Sequence, residues 1–403
     1  MPLIEALLLL LLLSRTIGEI SEYYGQPAMI GEIMAGVLLG PSILGTVHYT
    51  PEIEAIAQLG VLLLVFIAGM EMDMDVLWAS FRGRGIWVGA AGFTLPMVLG
   101  ILVGLMFGMN PTRTVFVGLC IAITALPVSV RILMGLGKLQ TETGQRIISA
   151  AILNDVTALL ILGVILDVKK NGGTTSAAFE SMGLALVKAV AFMAVIVLAA
   201  RLIKRFSRER FVHTREKVGR LFAKLKGKES LFAIVLLFVM AFASFSEALG
   251  LHFVVGAFFG SMLLSHEVVG KARFQEIQKT ASDITFGFLG PIFFAAIGLE
   301  FDAGSLRNWR LVAAILVVAF AGKIMGGYAG GRMAKLNTQE SWAVGIGMNG
   351  RGIMELVIAN IAYSNGFIER QLFTILVLMA VVTTFVTPIL LKWAFSKIPA
   401  TNA

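Results

Sequence analysis

Apolar stretches, broken only by short charged or Gly/Pro-rich segments, recur from end to end of this 403-residue chain, and that pattern restricts the fold more than any motif. Inside a bilayer no water satisfies backbone N–H and C=O groups, so a crossing segment must pair them within itself, as a helix does. Hydrophobic residues make up 57% of the chain and charged ones 14%, whereas a soluble globule carries about a quarter charged residues. The expectation is an all-α polytopic membrane protein with about thirteen transmembrane helices. They fall at roughly 2–21, 28–46, 55–72, 85–108, 113–137, 144–167, 180–204, 230–247, 252–267, 281–300, 308–332, 340–363 and 370–396. No gap leaves room for a separate soluble domain, so 1–403 reads as a single transmembrane domain.

Residues 1–13 look like the apolar core of a secretory signal. No positive cluster precedes them and no small-residue cleavage site follows before Arg15, so they read as a retained first helix. The formal net charge of +8 is concentrated between Arg201 and Glu229, where eleven Lys/Arg meet three Glu. In a membrane protein such a run marks a cytoplasmic loop, here 201–228, beside anionic lipid, and not a nucleic-acid surface. With the N-terminus outside, Lys and Arg collect on the inner side, which puts the C-terminus in the cytoplasm; the expected location is a cell membrane, such as a bacterial inner membrane. The single cysteine, Cys120, excludes an intrachain disulfide.

Two parts of the chain resemble each other. Gly25-Gln26-Pro27 through Leu38-Leu39 aligns with Gly250-Leu251-His252 through Leu263-Leu264, and Gly69-Met70-Glu71-Met72-Asp73 aligns with Gly298-Leu299-Glu300-Phe301-Asp302. The matched blocks lie an odd number of helices apart, so the two copies have opposite orientations in the membrane. Repeat one spans about 1–167 and repeat two about 230–396, each of six helices, with a connector helix and the basic loop at 180–229 between them. Inverted repeats are an architecture of transporters that alternate access between two sides.

Matched interruptions then locate a site. The fifth span contains Thr124-Ala125-Leu126-Pro127, and its counterpart reads Gly347-Met348-Asn349-Gly350-Arg351-Gly352. Proline removes a helical donor, and glycines next to polar side chains also break a helix, so two crossed broken helices are expected at the midplane. Freed carbonyls there offer ligands to a cation.

The sixth span carries Asn154-Asp155 near its centre. An aspartate at that depth costs about 2.5–3.5 kcal/mol, which points to a binding role for Asp155. A carboxylate reached from water by turns binds a proton or a small cation, and competition between them is sufficient for exchange. Asn154 serves either as a neutral ligand or as a helix–helix hydrogen bond, and Ser149 either as a hydroxyl ligand or as a small packing residue. Lys323 lies too deep to snorkel and needs a buried anionic partner, Asp155 or Glu71, or a neutral state. Arg131, Arg351 and Glu355 flank the breaks, and Arg351 and Glu355 share a helix face at i,i+4, which suits an ion pair locking the broken helices.

Together these motifs resemble the monovalent cation:proton antiporters, in the branch with Kef-type, spore-germination and plant CHX-type exchangers. The likeness is carried by Met348-Asn349-Gly350-Arg351-Gly352-Ile353-Met354-Glu355, by Leu372-Phe373-Thr374, by Thr383-Thr384 and by Ala122-Ile123-Thr124-Ala125-Leu126-Pro127. It implies a sodium/proton antiporter-like fold, a homodimer formed through a dimerisation domain, and a mobile core in which the fifth and twelfth helices cross. It further implies that Asp155 carries proton and cation, that Asn154 and Thr124 assist it in holding Na+ or K+, and that Lys323 is a buried base. No other cofactor is implied.

Electrogenic members of the family resemble one another in carrying Asp-Asp, so Asn154-Asp155 implies electroneutral one-for-one exchange. Lys323 bears on that inference, because a lysine that releases a proton enters the same charge count. The nucleotide-binding domain of Kef-type proteins has no counterpart before Ala403, so that regulation is either absent or lies outside the sequence.

A cation channel would use similar polar breaks but needs a continuous pore. Enzymatic chemistry finds no support. The four histidines, His48, His213, His252 and His266, lack metal-ligand spacing, and no His-Glu-x-x-His, Gly-x-Ser-x-Gly or Gly-Lys-Ser/Thr motif occurs.

Overall fold

The computed structural model describes residues 1–72, 83–124, 129–130, 132–133, 136–139, 141–171, 187–188, 190–202, 228–264 and 270–398. Within them the secondary structure is helical. α1 is Leu3–Tyr23, α2 Ala28–Leu39, α3 Pro51–Met70, α4 Gly85–Met106, α5 Pro111–Ala122 and α6 Glu142–Asn171. α7 is Val190–Leu202, α8 Lys228–Ala248, α9 Phe253–Met262, α10 Lys271–Ile284 and α11 Gly290–Glu300. α12 is Trp309–Met333, α13 Thr338–Gly347, α14 Ile353–Ser364 and α15 Arg370–Ser396. Each expected span holds helix, and among the described residues seven helices are long and apolar enough to cross a membrane.

Two spans differ from the hydropathy reading for local reasons, and both expected breaks are present. α2 stops at Leu39 and not near 46, because Gly40-Pro41 follows. The tenth span starts at Lys271 instead of 281, since its first turns are amphipathic, and a π turn at Thr285–Leu289 joins it to α11. The fifth and twelfth spans are broken: α5 ends at Ala122, and Met348–Gly352 separates α13 from α14.

Local chemistry sets the helix starts around the site. Asn110 accepts the Arg113 N–H at 2.8 Å with Pro111 in the first helical position of α5. Asn337 and Glu340 form a capping box at the start of α13.

The described residues fall into two compact units. One draws on 1–58, 76–158 and 291–403, the other on 59–75 and 159–290. In the first, α12 packs against α4 and α13 at backbone distance. A Cβ on Gly326 would stand 2.6 Å from Ala91 O, and one on Gly345 2.3 Å from Ile324 O, so only glycine allows these approaches. α2 and α11 meet the same way, at Gly36 against Ala295 O (2.0 Å) and Gly298 against Ile33 O (2.2 Å). In the second unit, α9 lies on α8 through Gly256 against Phe242 O (2.1 Å). The candidate site lies wholly within the first unit.

Candidate functional site

A helix leaves its last carbonyls without intrahelical donors and carries partial negative charge at that end. At the end of α5 two cations from other helices take those carbonyls. Arg351 donates from Nη1 to Cys120 O at 2.6 Å and from Nη2 to Ile121 O at 2.9 Å. Lys323 Nζ donates to Ala122 O, to Thr124 Oγ1 at 2.6 Å and to Gly92 O at 3.1 Å. Both side chains are fully buried.

Gly92 O is free to accept for a reason written in the sequence. Pro96 sits four residues on inside α4 and has no N–H to give it. Pro96 is thus a residue that hydropathy overlooked, and the signal that finds it is a proline four positions after a glycine opposite a buried lysine.

Thr124 lies two residues beyond the end of α5, after Ile123 in extended backbone, with its hydroxyl between several groups. Thr124 Oγ1 reaches Met348 O at 3.0 Å, which ties the first break to the second. Asn154 packs against the same oxygen at 3.2 Å, and with its amide oxygen turned to Thr124 its nitrogen donates to Gly89 O at 3.0 Å and Ala150 O at 3.2 Å. The opposite orientation leaves the amide oxygen facing only acceptors. The single hydroxyl hydrogen of Thr124 therefore has two acceptors, Met348 O and the Asn154 amide oxygen, while the ammonium of Lys323 fills a lone pair.

Asp155 follows Asn154 in the middle of α6 and is 2% exposed. Among the described residues, its carboxylate and that of Glu355 lie close enough to act electrostatically on Lys323. Arg351 lies 3.2 Å from Glu355 Oε1, with both side chains buried. Thr384 from α15 donates to Arg351 O at 2.8 Å, which holds the second break in place.

The structure thus gathers Thr124, Asn154, Lys323, Arg351 and Glu355 around one helix end, with Asp155 adjacent. Lys323 does not hydrogen-bond the acidic partners proposed for it from sequence: among the described residues its acceptors are two main-chain carbonyls and a hydroxyl. Glu71 is exposed at the end of α3 and is not among them. Ser149 is half-buried, and a Cβ on Gly85 would meet its Cβ at 2.8 Å, so it packs on the start of α4. Arg131, Pro127 and the greater part of the basic loop 201–228 lie outside the described residues.

A bundle with two helices broken where they meet, holding two buried cations and two buried carboxylates there, defines the class of an ion-coupled membrane carrier. The chain matches the transmembrane sodium/hydrogen exchanger family over residues 6–397. It belongs to that family and is an integral membrane protein. GerN of Bacillus cereus, a Na+/H+-K+ antiporter, is 30% identical over 96% of this chain and 95% of its own length. A Na+/H+ antiporter of Enterococcus hirae is 29% identical over 98% of each chain. Cation/H+ antiporter 20 of Arabidopsis thaliana is 30% identical over 94% of this chain and 47% of its own. Among solved structures, that of the sodium proton antiporter MjNhaP1 from Methanocaldococcus jannaschii superposes with a TM-score of 0.71, covering 98% of this chain and 96% of that one at 14% identity. The two share the sodium/proton antiporter fold.

Proposed function

We propose that this chain exchanges one Na+ or K+ for one proton across a cell membrane by alternating access, with proton and cation competing for Asp155. The observation that carries the reading is the charge count at the crossing. Lys323, Arg351, Asp155 and Glu355 are all buried, two of each sign. An uncompensated charge in such surroundings costs several kcal/mol, on the order of the penalty for a buried ion. A cation that enters must therefore displace a proton. With all four groups ionised the proton leaves Lys323, and with Asp155 protonated it leaves Asp155; in either case one positive charge enters as one leaves, and the cycle moves no net charge. Asn154 in place of a second acid supports the same count.

The inverted repeats inferred from sequence, 1–167 and 230–396 around the 180–229 connector, would let the two halves exchange conformations, opening the site to one side and then the other. The N-terminus outside and the C-terminus in the cytoplasm, a homodimer, and anionic lipid at the basic loop complete the proposal. Asn154 and Thr124 are assigned as neutral ligands and Ser149 as a secondary one. Arg131, Arg351 and Glu355 lock the breaks.

The test is flux in proteoliposomes. An inward Na+ or K+ gradient drives protons outward at a rate independent of imposed membrane potential, and Asp155→Asn abolishes this movement in a folded protein. Conductance without proton coupling, or full exchange by the variant, would sink the reading.

A further inference from the structure

Asn349 is a side chain at the crossing that the charge count does not use. Asn349 lies in the break between α13 and α14 and is 1% exposed. Its flanks are pinned to the end of α5: Met348 O is bonded by Thr124 Oγ1 at 3.0 Å, and Arg351 grips Cys120 O and Ile121 O. The Asn349 amide nitrogen donates to Gly345 O at 3.4 Å, which fixes the orientation of the amide, since the reverse would set oxygen against oxygen. Its Oδ1 is fully buried and meets no donor among the described residues. A buried acceptor without a partner is costly and calls for a ligand.

Three considerations identify that ligand. The other oxygens at this helix end are engaged: Cys120 O and Ile121 O by Arg351, Ala122 O and Thr124 Oγ1 by Lys323. A neutral amide oxygen is chemically like the carbonyls that replace the hydration shell of an alkali cation. An amide does not titrate, so it binds the cation and ignores the proton, which a carboxylate cannot do.

We propose that Asn349 Oδ1 is a ligand for the transported alkali cation and sets its selectivity, acting in the cation half of the cycle alone. This rests on the exchange reading above. The test measures KM for Na+, K+ and Li+ in proteoliposomes, together with the pH midpoint extrapolated to zero cation. Asn349→Ala should raise the cation KM about tenfold, the loss expected for one contact to a charge. It should also change the ratio of the Na+ and K+ values and leave the pH midpoint in place. Asn349→Asp keeps an oxygen there and adds charge, so it should lower the cation KM.

Unchanged cation KM in Asn349→Ala, or an equal rise for all three ions with a shifted pH midpoint, overturns the assignment in favour of a helix cap. If the alanine variant does not fold, Asn349→Asp decides: a lowered KM supports the ligand role, and an unchanged or raised one overturns it. A wild-type protein without cation-driven proton movement overturns exchange itself, and this assignment with it.

Discussion

Replacing Arg351 by methionine tests how the two breaks are held together. The guanidinium makes hydrogen bonds of 2.6 and 2.9 Å to Cys120 O and Ile121 O and lies 3.2 Å from Glu355 Oε1. Hydrogen bonds to a charged group are worth about 1.5–3 kcal/mol each, and stranding one partner of a buried ion pair costs about 3–5 kcal/mol. These do not add in full, because the abandoned carboxyl of Glu355 can take up a proton. The expected loss is therefore about 3–5 kcal/mol. Arg351→Lys should recover only part of it, since an ammonium lacks the planar fork that spans two carbonyls and a carboxylate. Arg351→Met combined with Glu355→Leu removes both charges and should be more stable than Arg351→Met alone. The assay is thermal unfolding of purified protein in detergent for Arg351→Met, Arg351→Lys, Glu355→Leu, the double variant and wild type. Arg351→Met within about 0.5 kcal/mol of wild type, or a double variant that is merely additive, would refute the reasoning.

Lys323→Ala leaves Ala122 O, Gly92 O and Thr124 Oγ1 without their shared donor; thermal stability should fall and the pH profile of exchange should shift, and wild-type values of both would remove Lys323 from the site. Asp302, beyond the end of α11, is held below the usual carboxylate range, first by the Ser305 hydroxyl at 2.6 Å, with the Gly304 N–H and the charges of Arg370 and Arg307 adding to it. A depressed folded pKa gives stability that is present above the unfolded value of about 3.9 and is lost as pH falls through the folded one. The stability difference between wild type and Asp302→Asn should accordingly shrink on acidification below about pH 4, and a difference that is constant with pH would show that the carboxylate has no such role.

Much of the fold is legible in the sequence because one physical requirement, helix in hydrocarbon, applies to every span. The reading falters where that requirement is relaxed. The first turns of α10, Lys271-Ala272-Arg273-Phe274, are helical through amphipathic packing and carry no hydropathy signal. At the site, the expense of burying Asp155 and Lys323 marks them as central, and the i,i+4 spacing of Arg351 and Glu355 brings them face to face. The acceptors of Lys323 could not be read the same way. They are chiefly main-chain carbonyls, which every residue carries, so no letter of the sequence announces them. Pro96 is the partial exception, since it exposes Gly92 O by what it lacks. The vacant lone pairs of Asn349 likewise depend on where its neighbours point, a matter of three dimensions.

That the cations at the crossing are held by backbone oxygens of α5 also changes what mutation can reach. No substitution at Cys120, Ile121 or Ala122 deletes a carbonyl, so these positions can change character while the acceptors persist. Only the placement of the helix end is vulnerable. Inserting one residue in α5 turns everything beyond it by about 100° and would swing the carbonyls away from Arg351 and Lys323 together. The length and phase of α5, more than its side chains, are therefore what the site depends on.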